Sequence, residues 1–366
     1  MTQREVWLEG VAARGGALRE VGGIRVPARF ASATEDGAAT ADECAAVSRG
    51  RALCDRTHRG LIRVTGKDRA AWLHNLVTNQ VKPLSPGEGN YAFALNVKGR
   101  ILFDLVYLVR AEDILLDIER RLLTDALKHF NKYIIMEDVA LTDLSAETCR
   151  IGVLGSGAGE AATAAGWATA ENAALYQSGL LSDPAGECVA WRSDFCGVRG
   201  YEVSFPSREW NTVAARLAAA GDAAWIGWDA VEALRIEQGV PAYPNEINEA
   251  VLPAETGQLA RAVSFNKGCY LGQEIVERMH ARKAVSRGLV RLIFDDGDPP
   301  APGSPVLDAD GQVIGEVTSS CRSVRLSRPV ALAYVKATAA RDKTQLAVNN
   351  GAERRTGVVA SSPSAV

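Results

Sequence analysis

The amino-acid sequence predicts a multidomain α+β protein that ends in a small β-barrel, and three observations support this. The chain has 366 residues, more than one hydrophobic core usually organises. Up to about residue 285, short β-branched runs alternate with segments whose apolar residues recur at helical spacing. From Gly288 onward, short apolar runs are separated by Gly, Pro and Asp turns, which is the spacing of a small closed barrel.

The elements follow in order along the chain. Residues 61–65 are β-branched and predict a strand, and residues 69–77 carry apolar residues at helical spacing. Residues 91–96 and 101–109 predict a hairpin, and residues 228–238 predict a helix that stops at a glycine. We therefore expect a strand–helix rhythm before the barrel.

The same patterns divide the chain into three predicted regions. Residues 1–285 form a mixed α+β region, and residues 286–340 form the barrel. Residues 341–366 are polar and rich in Ala and Ser, and we expect them to form a flexible tail.

Composition excludes several classes of protein. Apolar residues make up 47% of the chain, charged residues 23%, and the formal net charge is −3, as in an ordinary globular protein. Lys and Arg are not concentrated as in a nucleic-acid interface. The chain has no apolar run near 18 residues and does not begin with a secretory signal. We expect a cytoplasmic monomer that binds neither nucleic acid nor membrane.

The cysteines and histidines argue against disulfides and resident metals. Seven cysteines are scattered without a Cys-x-x-Cys pair, and the four histidines lack metal-ligand spacing. A disulfide framework, a zinc site and an iron–sulfur cluster held by this chain alone are therefore not expected.

The segment Lys267–Glu274 reads K-G-C-Y-L-G-Q-E. Gly268 and Gly272 allow the backbone to bend closely, and a predicted helix opens at Gln273. Cys269 would lie near the positive end of that helix, beside Lys267, and both features lower the pKa of a thiol. Cys269 is therefore a candidate functional residue. The alternative is a buried cysteine that packs as a small hydrophobe.

This segment resembles the K-G-C-[FY]-x-G-Q-E signature of the YgfZ-type folate-binding proteins, members of the glycine-cleavage T-protein superfamily. Their mitochondrial relatives help to mature iron–sulfur enzymes. Further strings over residues 20–335 resemble those of T-proteins: Gly22–Pro27 with Phe30, Asp55–Gly66, Gly99–Asp104 and Leu234–Pro241.

The resemblance implies a fold and a ligand. Residues 1–285 would form two interleaved α+β lobes, and these lobes and the barrel would form a cloverleaf around a central cleft that binds tetrahydrofolate or another reduced folate. Asp104 matches the second member of a paired Asp-Asp in T-proteins, the member that faces the reactive end of folate, and the first member is Phe103 here. Glu202 matches the glutamate that binds the pterin ring. The residues alone also allow Asp104 at an exposed strand end and Glu202 on an outward strand face.

Two further residues have alternative interpretations. Trp228 could stack on the pterin or pack in the core, and Arg235 could bind the folate tail or pair with a nearby acid. T-proteins carry a carboxylate within the segment aligned with residues 195–200 and an arginine at the position of Val231, and this chain has neither. These differences weaken the prediction of aminomethyl transfer.

Our hypothesis from the sequence is a tetrahydrofolate-binding protein that supports the assembly or repair of iron–sulfur enzymes, with those enzymes or assembly factors as partners. Asp104, Glu202, Trp228 and Arg235 would hold the folate. The rim of the cleft would consist of Lys267, Cys269, Gln273 and Glu274, with Cys269 as the catalytic group. The alternatives are a folate-dependent aminomethyltransferase or demethylase, and a non-catalytic adaptor that has lost its ligand.

Overall fold

The computed structural model describes residues 1–30, 36–167, 170–181, 187–219, 223–282, 285–351 and 353–360. Within these ranges the α-helices are α1 Gln3–Ala13, α2 Asp36–Arg49, α3 Arg69–His74, α4 Leu123–Asn131, α5 Ala158–Ala164, α6 Trp210–Ala219, α7 Trp228–Gln238, α8 Leu259–Ala262 and α9 Gln273–Arg282. None of the helices in the described residues is long and apolar enough to cross a membrane.

The strands before the barrel are β1 Ala17–Val21, β2 Ile24–Arg29, β3 Ala52–Asp55, β4 Arg59–Thr65, β5 Gly89–Leu95, β6 Ile101–Val109, β7 Ile114–Glu119, β8 Ala140–Asp143, β9 Thr148–Leu154, β10 Ser178–Leu181, β11 Cys188–Ser193, β12 Gly200–Pro206 and β13 Ala224–Ile226. The barrel strands are β14 Arg287–Phe294, β15 Pro305–Leu307, β16 Val313–Ser323, β17 Arg328–Lys336, β18 Gln345–Asn350 and β19 Glu353–Ala360. The predicted hairpin is strands β5 and β6, which pair antiparallel.

A five-stranded sheet has the order β5-β6-β7-β4-β8. Side chains alternate between its faces because successive strand residues point in opposite directions. In β6, Phe103, Leu105 and Tyr107 pack in a core with residues of α3 and α4. Val106 and Leu108 belong to a second core on the opposite face. Asp104 lies two residues before Val106 on the same strand, so its side chain also faces away from the helices.

A six-stranded sheet has the order β10-β11-β12-β9-β3-β13. One face packs against α5 and α6 through Tyr201, Val203 and Trp210. Trp191 of β11 lies in the same core as Phe93 of the five-stranded sheet. The two sheets therefore share an apolar core between their inner faces.

Helix α7 joins this body to the barrel. It ends at Gly239, whose φ of 74° lies in the left-handed region that favours glycine at a helix end, as the sequence predicted. The helix contacts α2 and β2 on one side and barrel strands β16 and β17 on the other. It is consequently the element that holds the barrel against the two sheets.

The barrel closes in the order β14-β17-β16-β15-β18-β19, and β19 pairs with β14. The prediction of a flexible tail over 341–366 is wrong because β18 and β19 lie in that range. Leu346, Val348 and Val359 are buried in the barrel core. Burial alternates along both strands around these residues, which is the pattern of strands with one buried face. Residues 361–366 lie outside the described residues.

Candidate functional site

A cavity of about 850 Å³ lies where the two sheets, helix α7 and barrel strand β16 meet. This volume is in the range of small-molecule sites. Arginines and carboxylates line it in nearly equal number, and tyrosines and Trp228 contribute aromatic surface. The cavity therefore suits a ligand with polar groups and a flat ring. We refer to it as the central cavity.

Asp104 lies in the wall of the central cavity, inside strand β6. The hydroxyl of Tyr91 donates a hydrogen bond to Oδ2 of Asp104 at 3.0 Å. Burial raises the pKa of Asp104, and the nearby Arg59 partly opposes this. The alternative of an exposed strand end is wrong. Asp104 is a cavity carboxylate whose proton affinity is enhanced.

Phe103 occupies the opposite face of the same strand. Its side chain is 2% exposed, and its ring centroid lies 5.4 Å from that of Phe130 in α4. A side chain at position 103 of this chain points into the helix-side core, not into the cavity. The phenylalanine therefore removes no carboxylate from the central cavity.

Glu202 lies on β12, across the cavity from Asp104, and is 1% exposed. Nε of Arg56 donates to Oε1 of Glu202 at 2.9 Å, and the Arg56 guanidinium lies 3.9 Å from the centroid of the Phe195 ring. The outward alternative is wrong. No donor from the described residues is assigned to Oε2 of Glu202, so one carboxylate oxygen is available to a ligand.

Sequence reasoning missed an ionic network beneath Asp104. Oδ1 of Asp117 accepts hydrogen bonds from Nε of Arg59 at 2.8 Å and from Nη1 of Arg150 at 2.6 Å. The two arginines lower the pKa of Asp117 to about 2 even though its burial acts in the opposite direction. The signal was present, because Asp117 interrupts the apolar strand β7, and buried carboxylates require partners.

Arg235 is buried and pairs with acids, as one of its two alternatives predicted. Nε and Nη2 donate to the two oxygens of Glu232, each at 2.8 Å, and Nη1 donates to Glu246 at 3.1 Å. The other bonds go to the carbonyl oxygen of Val240 at 3.1 Å and to Oγ of Ser319 at 3.0 Å. These contacts occupy all five N–H donors of the guanidinium, which leaves none for a folate tail.

Trp228 starts α7 and lines the cavity. Its ring meets the ring of His58 edge-on, with centroids 4.6 Å apart. Burial, together with the positive charge of Arg56, lowers the pKa of His58 well below its usual value. A neutral imidazole therefore supports the indole from one side.

The predicted rim does not form at the central cavity. Among the described residues that line the cavity, Lys267, Cys269, Gln273 and Glu274 are absent. Cys269 instead lies in a second, more open pocket, which we call the Cys269 pocket; it is lined by His74, Asn75, Leu76, Lys82, Tyr133 and residues 268–271. Cys269 is exposed, so the alternative of a buried cysteine is wrong.

Lys267 fixes the loop that carries Cys269. Its Nζ donates to the carbonyl oxygens of His74, Val77 and Asn79 at 2.6, 2.5 and 2.9 Å. Burial, and to a smaller extent Lys82, lower the pKa of Lys267 to about 7. The ammonium group is thus engaged with backbone at the end of α3, and Lys267 acts on the position of the loop.

The other two predicted rim residues lie at the start of α9. Oε1 of Gln273 accepts a hydrogen bond from the backbone N–H of Tyr270 at 3.2 Å. Glu274 is exposed in the first turn of the helix, where a negative charge is favourable. Both positions have a local structural reason, which is independent of the central cavity.

The fold and the central cavity define a class: multidomain α+β proteins in which a C-terminal barrel completes the wall of a polar ligand cavity. Comparison with known families gives the particular family. Residues 8–267 match the model described as the GCVT N-terminal domain, and residues 287–364 match the glycine cleavage T-protein C-terminal barrel domain. The chain belongs to the glycine cleavage T-protein family.

Similar proteins cover nearly the whole chain. A mitochondrial aminomethyltransferase from Gallus gallus is 28% identical over 96% of this chain and 89% of its own length. An aminomethyltransferase from Streptomyces coelicolor is 30% identical over 88% of this chain and 86% of its own length. The crystal structure of the glycine cleavage system aminomethyltransferase T from Bartonella henselae superposes with a TM-score of 0.85, at 23% identity, over 97% and 96% of the two chains. The last likeness shows the shared fold.

Proposed function

We propose that the chain binds a reduced folate, such as tetrahydrofolate, in the central cavity and acts as a folate-dependent one-carbon transferase of the aminomethyltransferase type. The pterin ring would bind to Glu202, and Asp104 would face the reactive end of the folate. Trp228 would contribute an aromatic wall. The YgfZ-type subfamily, which the K-G-C-Y-L-G-Q-E string suggested, is a finer assignment within this proposal.

The observation that carries the proposal is the placement of two carboxylates on opposite sheets around one cavity. Asp104 lies on the five-stranded sheet and Glu202 on the six-stranded sheet. A carboxylate with a free oxygen can accept hydrogen bonds from the amino and ring N–H groups of a pterin. A second carboxylate, whose pKa is raised by burial, binds a proton more readily than an ordinary aspartate does.

The departures from the T-protein pattern carry unequal weight. Phe103 faces the helix-side core, and its presence does not argue against transfer chemistry. Val231 lines the central cavity, and an arginine is missing from that wall. The relatives named aminomethyltransferase favour transfer over the role in iron–sulfur enzymes that the sequence first suggested.

The test is a calorimetric titration of the protein with tetrahydrofolate. Wild type should bind saturably, and the double variant Asp104→Asn, Glu202→Gln should bind at least tenfold more weakly, because each charged hydrogen bond contributes roughly 1.5–3 kcal/mol. Glu20→Gln serves as the matched control, since Glu20 is another carboxylate of the cavity lining on the exposed strand β1. Wild type should then be assayed for aminomethyl transfer to tetrahydrofolate.

The outcomes separate the competing functions. No binding to wild type contradicts the proposal and favours an adaptor that has lost its ligand. Binding that the double variant retains contradicts the roles of Asp104 and Glu202. Binding without transfer from any aminomethyl donor would reduce the function to that of a folate-binding protein.

A second candidate function rests on Cys269. This cysteine is exposed beside a largely apolar pocket, whereas Cys44, Cys54, Cys149, Cys188 and Cys196 are buried. The loop that carries this accessible thiol is fixed by Lys267, and the thiol could react with a protein partner. Through that reaction the chain would support iron–sulfur enzymes. If it does, Cys269→Ala should abolish that support in a deletion strain while leaving tetrahydrofolate binding unchanged. Full rescue of iron–sulfur enzyme activity by the variant would remove this candidate.

The proposed compartment is the cytoplasm. No disulfide joins any of the seven cysteines, which all lie among the described residues, and this is compatible with a reducing environment.

A further inference from the structure

Arg261 of helix α8 forms one end of the central cavity. Its guanidinium lies over the Tyr91 ring, with Cζ 4.9 Å from the centroid, and 5.3 Å from the centroid of the Tyr176 ring. Nε donates to the Tyr176 hydroxyl at 2.6 Å, and Nη2 donates to that hydroxyl and to Asp194. Two rings and one carboxylate therefore fix the plane of the guanidinium.

One edge of this guanidinium has no partner in the described part of the chain. The hydrogen bonds of the Arg261 side chain use Nε and Nη2. Nη1 makes no hydrogen bond to the described residues, and it is not enclosed by protein. The side chain is 21% exposed and belongs to the cavity lining. Arg261 thus presents two N–H donors that can bind an anionic oxygen.

Tyr176 supplies a second, independent observation. Its φ is 63°, a left-handed conformation that is costly for a side chain other than glycine. The residue is nonetheless buried at 4% exposure, with its hydroxyl bonded to Arg261. Backbone strain of this kind concentrates at functional sites, and here it places the group that orients Arg261.

The surroundings of Arg261 indicate the chemistry of the ligand. Tyr91 carries Arg261 on its ring, and its hydroxyl donates to Asp104. A cation and a carboxylate therefore lie around one tyrosine side chain. This arrangement is complementary to a molecule that has a carboxylate and an amine a few bonds apart.

We infer that Arg261 binds the carboxylate of a small amino acid, which is the second substrate and directs its amine towards Asp104. The inference rests on the proposed function, because it requires the reactive end of the folate to lie at Asp104. Arg261 is then the residue that selects a carboxylate-bearing substrate over an uncharged one.

The test uses N-methylglycine and its amide, which differ only in the carboxylate. Their dissociation constants are measured by saturation-transfer difference NMR on protein saturated with tetrahydrofolate. Arg261→Gln should weaken N-methylglycine binding at least tenfold and leave the already weak binding of N-methylglycinamide unchanged. Arg25→Gln, which removes the same charge from an exposed pair with Glu9 outside the cavity lining, should change neither.

Other outcomes overturn the inference. Equal binding of N-methylglycine to wild type and Arg261→Gln, or no binding to wild type, contradicts it. Arg261 would instead bind the folate's own glutamate if the variant weakened tetrahydrofolate but not tetrahydropteroate, which lacks the glutamate. Wild type that binds no tetrahydrofolate removes the proposed function itself, so the two failures are distinguishable.

A thermal melt establishes whether Arg261→Gln is folded, since the variant leaves Asp194 without its cation. Arg261→Lys keeps that charge but loses the two-pronged donor geometry. It should bind N-methylglycine more weakly than wild type with an unchanged melting temperature. Wild-type affinity in Arg261→Lys would mean that the fixed guanidinium edge is not the carboxylate site.

Discussion

The central cavity and the Cys269 pocket use charge in opposite ways. In the central cavity, arginines and carboxylates are paired with each other, as in the bonds from Arg59 and Arg150 to Asp117. Beside the Cys269 pocket, the buried ammonium group of Lys267 is bonded to three backbone carbonyl oxygens. Paired charges can be rearranged by a polar ligand, whereas a lysine bonded to backbone holds a loop in place.

The motif most specific in sequence is not part of the cavity. Residues 268–271 of the string over 267–274 line the Cys269 pocket, and the cavity is lined by residues scattered over both sheets and α7. Variants in the two regions should therefore have separable effects on stability and on folate binding.

The largest effect should come from breaking the ionic network of the central cavity. Asp117→Asn removes the one charge that two buried arginines share, which should lower the free energy of unfolding by about 3–5 kcal/mol. Chemical denaturation measures it. The control is Glu9→Gln, which breaks an exposed pair with Arg25 and should cost less than about 1 kcal/mol. A similarly small loss for Asp117→Asn would mean that the network is not a structural requirement.

Beside the Cys269 pocket, Lys267→Met should leave the backbone carbonyl oxygens of His74, Val77 and Asn79 without their hydrogen-bond donor. We expect a loss of about 2–3 kcal/mol in the free energy of unfolding and unchanged affinity for tetrahydrofolate. Lys82→Met is the matched control, because Lys82 is exposed at the same pocket. A fall in tetrahydrofolate affinity in Lys267→Met would show that the two regions are coupled.

Each region also contains a buried neutral histidine, His58 in the central cavity and His74 in the Cys269 pocket. Both histidines should make the folded chain less stable in acid. The pKa of His58 is lowered by burial and that of His74 is lowered to about 4. The unfolded chain takes up these protons below about pH 6.5 and the folded chain does not, so stability is lost as the pH falls through that value. Between pH 7 and pH 5, His58 should account for a loss of up to about 2 kcal/mol in the free energy of unfolding.

The comparison that isolates this effect is the pH dependence of unfolding in wild type and in His58→Gln. Wild type should lose more free energy of unfolding than the variant between pH 7 and pH 5. His280→Gln removes an exposed histidine and serves as the control. Identical slopes for wild type and His58→Gln would contradict a neutral buried His58.

The smallest effect on stability should come from Cys269→Ala, because an exposed side chain contributes within about 0.5 kcal/mol. The same residue should dominate reactivity: iodoacetamide should alkylate Cys269 in the native protein before any other cysteine. Burial raises the pKa of Cys44 and Cys196 to about 12, which keeps them as unreactive thiols. Mass spectrometry of the labelled protein identifies the site, and early labelling of a buried cysteine would contradict the packing.

The elements with clear local signals could be predicted from the sequence. The α7 helix and its end at Gly239, and the β5–β6 hairpin, have strong periodicity and turn residues. The last two barrel strands were missed because their apolar residues are few. Leu346 and Val348 are two residues apart in the short segment Gln345–Asn350. The polar composition of the last residues was taken as a sign of a tail, although burial at every second position is the feature that defines a half-buried strand.

The site was predicted in part. The placement of Asp104 and Glu202 in one cavity followed from resemblance to a family and agrees with the structure. The partners of Arg235 and the position of Arg261 could not be predicted, because both depend on contacts between residues far apart in sequence. The direction of Phe103 could not be taken from the comparison of motifs, because that comparison aligns residue types, whereas only alternate residues of a strand face a cavity.

The barrel's contribution to the cavity wall has a consequence for the biosynthesis of the protein. Ser319, Ser320 and Cys321 complete a wall that begins with residues 19–22, at the end of strand β1 and in the turn after it. A ribosome makes the first of these segments about 300 residues before the last. Ligand can therefore stabilise only a chain that already contains residues 319–321, since a bound ligand stabilises the state that holds it. Truncated translation products would lack that protection, and proteases could distinguish them from complete molecules.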